Sequence, residues 1–379
     1  MTALAYLDWN ATTPLAPEVA DAAAAALREV YGNPSSLHAA GQRARRALDE
    51  ARAEVAALIG ADPGEIVFTA GGTEADNLAL RGAMEAAREP RRRLVVGAVE
   101  HEAVINTAAA LERRGWPVTT VPVTADGLVT PEALDERLGD EVALVSVMLA
   151  NNETGVVQPV RELAARAHAR GALFHTDAVQ AIAKMPVDVR ALGVDLLSLT
   201  AHKFGGPKGA GALWIRRGVA LSSPVAGGRQ ERNRRPGTEN VPAIVGLGVA
   251  ARLARDGPAA ESVRARRDRL EAAILSIPGT TINGAGAERV PNTTNASFDG
   301  IDAESLVIAL DLEGIAVSAG SACSSGTLEP SHVLRAMGLP ASRTRGAVRF
   351  SLGPATTDEE IDRVVAVLPR VVRRLGARG

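Results

Sequence analysis

The chain contains a single cysteine, Cys323. That excludes an intramolecular disulfide framework and any zinc site built from several thiolates, and no metal site is read. Excess charge is missing too. Lys and Arg number 42 against 44 Asp and Glu, a formal net charge of -2. A dedicated nucleic-acid binder carries a basic excess that this chain lacks, so no nucleic-acid partner is expected. No apolar run approaches the roughly 20 residues of a membrane span. Residues 1–8 have neither the basic start nor the apolar stretch of a signal peptide. These absences lead us to expect a cytoplasmic protein with no membrane partner. Aromatic residues make up only 3% and carry no functional reading. What remains is 379 residues, 46% hydrophobic and 23% charged, enough for about two domains with a sizeable core.

Short apolar runs alternate with longer amphipathic ones. Strands are predicted at 66–69, 94–97, 142–148, 173–176 and 195–199, with helices at 73–88, 102–114 and 160–170. This alternation predicts an α/β fold whose central sheet is mostly parallel and covered by helices on both faces. Past Glu239 the texture changes. Helices are expected at 241–255 and 259–276, broken by Asp256-Gly257-Pro258, then strands at 295–298, 315–317 and 347–351 among further helices at 303–312 and 358–375. The expected division is a large domain at 13–257 and a smaller α+β domain at 1–12 and 258–379.

Several segments carry residue types suited to chemistry. Ala70-Gly-Gly-Thr-Glu74 joins a strand to a helix, so Gly72 and Thr73 could cradle an anion on free helix N–H groups; a glycine turn with Thr as N-cap reads equally well. Lys203 follows a strand among glycines, with Thr200 and His202 beside it, and a lysine held in a desolvated pocket can condense with a carbonyl. Asp177 at another strand end could pair with a protonated ring nitrogen, Gln180 could donate to a ring oxygen, and His101 could stack on a ring. The plainer readings are an N-cap for Asp177 and a packed imidazole for His101. These residues fall at the C-terminal ends of predicted parallel strands, where ligands bind in such sheets. Cys323 lies in the run Ser318-Ala-Gly-Ser-Ala-Cys323-Ser-Ser-Gly326, whose small residues offer little packing. An accessible, mobile thiol is expected there, although an inert buried cysteine is the commoner case.

The chain resembles the NifS/IscS-type cysteine desulfurases of the class V aminotransferase family. The matching segments run from Tyr6-Leu-Asp-Trp-Asn-Ala-Thr-Thr-Pro14 through Gly32-Asn-Pro-Ser-Ser-Leu-His38, Thr73-Glu-Ala-Asp-Asn77, Ala150-Asn-Asn-Glu-Thr-Gly155 and His202-Lys203. They continue with Arg235-Pro-Gly-Thr-Glu-Asn240 and Ser321-Ala-Cys323, to Arg349-Phe-Ser-Leu-Gly353. The resemblance implies the fold type I of pyridoxal-phosphate-dependent transferases, with pyridoxal 5'-phosphate as cofactor and L-cysteine as substrate. It implies a Schiff-base role for Lys203, with Asp177 at the pyridine nitrogen, Gln180 at the ring oxygen and His101 on the ring. Gly72, Thr73, Thr200 and His202 would hold the phosphate. Thr238 would reach the phosphate in a neighbouring subunit, which implies a homodimer. Asn152 and Arg349 would bind the substrate carboxylate. Cys323 would take the sulfur as a persulfide and pass it to an acceptor protein, leaving L-alanine. Trp9 stands where many members have Asn or Tyr, and is expected to alter packing only. The chain ends at Gly379, where members serving iron–sulfur scaffolds often extend, so scaffold, tRNA-thiolation protein and other carriers all stay open as acceptors. A lyase acting on selenocysteine or cystine is the nearest alternative, and a non-catalytic relative is a further one.

Overall fold

The apolar runs form the middle of a seven-stranded sheet. The computed structural model describes residues 4–256, 260–319 and 330–376, so the expected boundary at Gly257 and the expected mobile loop around Cys323 lie outside the described residues. After a short β1 (Ala5–Tyr6) come β2 (Ile66–Thr69), β3 (Arg93–Gly97), β4 (Val118–Val121) and β5 (Val142–Ser146). Then follow β6 (Leu173–Asp177), β7 (Leu196–Thr200) and β8 (Gly211–Ile215). The order across the sheet is β2-β8-β7-β6-β5-β3-β4. Strands β3 to β7 pair in parallel, and β8 lies antiparallel to both β7 and β2, so β8 runs against the other six.

Side chains alternate across this sheet with the period of two that a strand imposes. Leu94, Leu144, Leu196 and Leu213 face one core, filled by Ala75, Leu78 and Ala79 of helix Gly72–Ala86. Their neighbours Val95, Val145 and Leu197 face another, filled by Val55 of helix Ala39–Leu58 and Leu247 of helix Val241–Asp256. Strands β5, β7 and β8 are buried along their whole length. That explains why the inner strands read as continuous apolar runs.

The connection from β7 to β8 is a tight return. Ala201 N–H donates to Ala210 O at 3.1 Å, and Gly205 and Gly209 take φ values of 82° and 81°, a region that glycine enters at little cost. Lys203 stands on this loop.

A second sheet gathers the C-terminal part. Strands β9 (Thr280–Ile282), β10 (Thr293–Phe298), β12 (Ser318–Ala319) and β13 (Ala347–Ser351) form an antiparallel sheet ordered β12-β13-β10-β9, while β1 pairs in parallel with β11 (Ile315–Ala316). Leu270, Leu306, Val364 and Leu368 from three helices pack there with Phe298 and Phe350. From β1 the chain crosses to the large sheet. Trp9 N–H donates to Ser351 O, and Asn10 N–H to Ser351 Oγ at 2.9 Å.

Candidate active site

The C-terminal ends of β2, β3, β5, β6 and β7 open on one cavity of about 390 Å³. Gly72, Thr73, Thr200 and His202 line it, together with His101, Asp177, Gln180 and Lys203. Asn152 from the loop after β5 and Arg349 from β13 complete the wall. The topology thus collects candidates spread over almost 280 positions of sequence, as expected where parallel strands end together.

Helix Gly72–Ala86 points its first turn at this cavity. The N–H groups of such a turn have no acceptor within the helix and favour an anion. A Cβ on Gly72 would stand 2.9 Å from Val179 Cγ2, so a larger residue there would have to displace the Val179 side chain. Thr200 lies beside it with its hydroxyl donating to Ala210 O at 3.1 Å. His202 sits against Thr12 Oγ1 at 3.2 Å. Burial, then the nearby Lys203 and Lys208, lower its pKa to about 4, so it is neutral.

Asp177 ends β6 buried, one oxygen accepting the Val179 N–H at 2.9 Å. Burial raises its pKa, while His101 and Lys203 pull the other way. Behind it Asp76 and Glu100 are buried and held well above the ordinary carboxyl range, each by burial first and with Asp177 adding repulsion. His101 caps helix Glu102–Arg113 with Nδ1 accepting from Ala103 N–H at 3.1 Å. That places its proton on Nε2. Burial lowers its pKa, with Lys203 adding to the effect and Asp177 opposing it.

Lys203 Nζ donates to Asn10 O at 2.6 Å and Ala11 O at 2.8 Å. Arg349 is 2% exposed. Its guanidinium donates to Asn152 O at 2.9 Å and to Asp8 Oδ1 at 2.8 Å, while its buried Nε has no acceptor. Asn152 Oδ1 is likewise buried without a partner. These orphaned atoms are the kind of vacancy in hydrogen bonding that a polar ligand fills.

Thr238 does not line the cavity and is exposed. Its segment is nonetheless firmly held. Arg235 pairs with Glu74 at 2.7 Å. The buried Glu231 accepts two bonds from Arg52 and one from Phe68 N–H. Three consecutive residues, Glu231, Arg232 and Asn233, take left-handed φ values of 44°, 57° and 64°.

Sequence reasoning missed Asn10, Lys184 and Glu153. Glu153 is buried beside Asn152 and accepts from Ser331 Oγ at 2.6 Å. Burial raises its pKa to about 7, against the pull of Ser331 and Arg349. A carboxyl whose folded pKa lies above its unfolded value favours the folded state at low pH, and that contribution is lost as pH rises to about 7. Glu153→Gln should therefore narrow the fall in unfolding free energy between pH 5 and pH 8 by on the order of 3 kcal/mol. Chemical denaturation at both pH values checks this; an unchanged difference would contradict it.

The family model described as Aminotransferase class-V matches residues 5–364. The chain belongs to the class-V aminotransferase family. A cysteine desulfurase of Cereibacter sphaeroides is 52% identical over 98% of this chain and 96% of that protein. The cysteine desulfurase IscS of Methanosarcina thermophila is 46% identical over 98% and 92%. Among solved structures, a NifS-like protein superposes with a TM-score of 0.92 at 36% identity, covering 98% of this chain and all of the other. The expected fold is thereby shown: an α/β transferase of the NifS-like type with a mostly parallel central sheet.

Proposed function

We propose that this protein is a pyridoxal-phosphate-dependent cysteine desulfurase that converts L-cysteine to L-alanine and transfers the sulfur to Cys323. The observation that carries this reading is one cavity holding Lys203, the buried Asp177 and the carboxylate-ready Arg349 together. The residues present suit the cofactor. The close approach at Gly72 and the free first-turn N–H groups suit its phosphate, with Thr73, Thr200 and His202 around it. Asp177 suits a protonated ring nitrogen, Gln180 its ring oxygen, and His101 its ring face. Bound there, pyridoxal phosphate supplies a carbonyl that joins amines and a protonated ring that withdraws electrons.

The protein's own groups do the rest. Lys203 holds the cofactor and, once freed, moves protons between nearby atoms. Its place beside two backbone carbonyls keeps Nζ aimed into the cavity. Arg349 and Asn152 grip the substrate carboxylate and so fix the direction of the thiol. The Cys323 thiolate attacks the substrate sulfur. A sulfur–sulfur bond forms, the carbon–sulfur bond breaks, and the electron pair left on carbon takes a proton to give alanine. His101, with its proton on Nε2, is placed to exchange protons there. The persulfide then passes to an acceptor protein, an iron–sulfur scaffold or a thiolation protein.

Thr238, exposed on its braced segment, reaches the phosphate in a neighbouring subunit of a homodimer. The large unit at 13–257 carries the cofactor, supported by the seven-stranded sheet, and 1–12 with 258–379 forms the small unit carrying the cysteine. No helix among the described residues is long and apolar enough to cross a membrane. We place the enzyme in the cytoplasm, where a catalytic thiol stays reduced.

The deciding experiment supplies L-cysteine to the cofactor-loaded protein with a thiol reductant, which releases persulfide sulfur as sulfide, and counts alanine against that sulfide. Equal amounts are expected; pyruvate in place of alanine would overturn the proposal. A second test concerns Arg349. Its planar fork donates two parallel bonds to a carboxylate, and an ammonium cannot copy that. Arg349→Lys should raise KM for cysteine roughly ten- to hundredfold, on the order of 1–3 kcal/mol, with cofactor affinity nearly unchanged. An unaltered KM would remove Arg349 from the substrate site.

A further inference from the structure

Lys184 stands four residues after Gln180 in sequence, yet no role follows for it from the chemistry above. Its amine donates to Asn10 Oδ1 at 2.8 Å and also to Gln180 Oε1. Gln180 itself is 4% exposed, and its Nε2 donates to Asn10 O at 2.9 Å. The amide is thus defined at both ends. A lysine amine serves Oε1 as donor, and a backbone carbonyl can only accept from Nε2. One N–H of the Gln180 amide is spent on Asn10 O, which leaves the second for the cavity that Gln180 lines.

The chain bends against its own preference to place this lysine. Ala183, immediately before it, has φ 62°, a left-handed conformation that residues with a Cβ rarely adopt. The same Asn10 carbonyl also receives Lys203 Nζ at 2.6 Å. Asn10 Oδ1 is held in turn by Asn292 Nδ2 at 3.0 Å. Lys184 is therefore tied into the frame that holds the reactive lysine. Burial, then Lys203 and Arg349, push its own pKa well below the ordinary lysine range.

We propose that Lys184 is a positioning residue that locks the Gln180 amide with its N–H turned toward the ring oxygen of the cofactor. This rests on the reading of Gln180 given above. Lys184→Met keeps the length of the side chain and removes the donor. Gln180 Oε1 then loses its donor, and only the Nε2 bond to Asn10 O still orients the amide.

The test compares Lys184→Met, Gln180→Leu and the double variant. It reads the visible absorption maximum of the bound cofactor and the Kd of apo-protein for pyridoxal phosphate. Hydrogen bonds to the ring tune its electronic state, so a merely structural lysine would leave the maximum in place. Lys184→Met should move the maximum in the same direction as Gln180→Leu and raise Kd about tenfold, one hydrogen bond's worth. In the Gln180→Leu background it should add little, because one residue acts through the other. Lys184→Arg, which keeps a donor, should restore the wild-type maximum. If Gln180→Leu moves the maximum and Lys184→Met does not, the proposal falls and the reading of Gln180 stands. If Gln180→Leu itself changes neither quantity, the reading of Gln180 falls and the proposal with it. Should Lys184→Met not fold, Lys184→Gln, too short to span to both acceptors, is read by the same comparison.

Discussion

Replacing Lys203 by alanine should lower turnover of cysteine by on the order of 10⁴ or more while leaving the protein folded and still able to hold some cofactor noncovalently. The structure explains why the two effects separate. Lys203 sits on the return between β7 and β8, partly buried, and its Nζ bonds to Asn10 O and Ala11 O. The helix start at Gly72, the Asp177 carboxylate and the His101 ring belong to other strand ends. Removing the amine takes away the covalent attachment and the nearest mobile base, but none of those groups. Borohydride reduction of the loaded wild-type protein, followed by peptide mapping, should place the reduced cofactor on Lys203. The other lysines are Lys184, committed to Asn10 and Gln180, and Lys208, which is exposed. Label on either would reassign the site.

How much of this was legible beforehand depends on whether a feature is local. The inner strands announced themselves because a parallel strand buried on both faces is largely apolar, as Val142–Ser146 and Leu196–Thr200 are apart from Ser146, Ser198 and Thr200. Lys203 and Asp177 stood out because chemistry-bearing residues directly after such runs are unusual, and the sheet then brought them to one cavity. Strand β8 escaped notice because Gly211-Ala-Leu-Trp-Ile215 follows a glycine-rich turn and reads as its continuation. The helix Ala39–Leu58 buries Ala44, Leu48, Ala51 and Val55 along one face, but a face built half of alanine is a faint signal in the sequence. Glu153 and Lys184 were invisible for a different reason. Their importance lies in contacts with residues far along the chain: Ser331 for Glu153, and Asn10 for Lys184. No pattern of neighbours encodes such a meeting. His101 was noticed as a ring to stack, yet its service as a helix cap, which fixes its tautomer, needed the backbone of Ala103 in place.

Cys323→Ala should abolish formation of both alanine and persulfide while keeping the yellow cofactor and its response to added cysteine. The cysteine lies outside the described residues, but the elements on either side are anchored at the site. Ser318 of β12 is in register with Arg349 on β13. On the far side Ser331 donates to Glu153, and His332 lines the cavity with its Nε2 2.9 Å from Glu100 O. Ala319, the last described residue before Cys323, continues β12 beside Val348. An alkyl side chain at position 323 cannot accept the sulfur, so the carbon–sulfur bond has no partner to break against. A lyase needs no such partner, because it expels the leaving atom to solvent. Alanine formation by the variant, measured under reducing conditions, decides between them: wild-type rates would defeat the desulfurase mechanism, and their loss alongside an intact spectrum assigns the transfer step to Cys323.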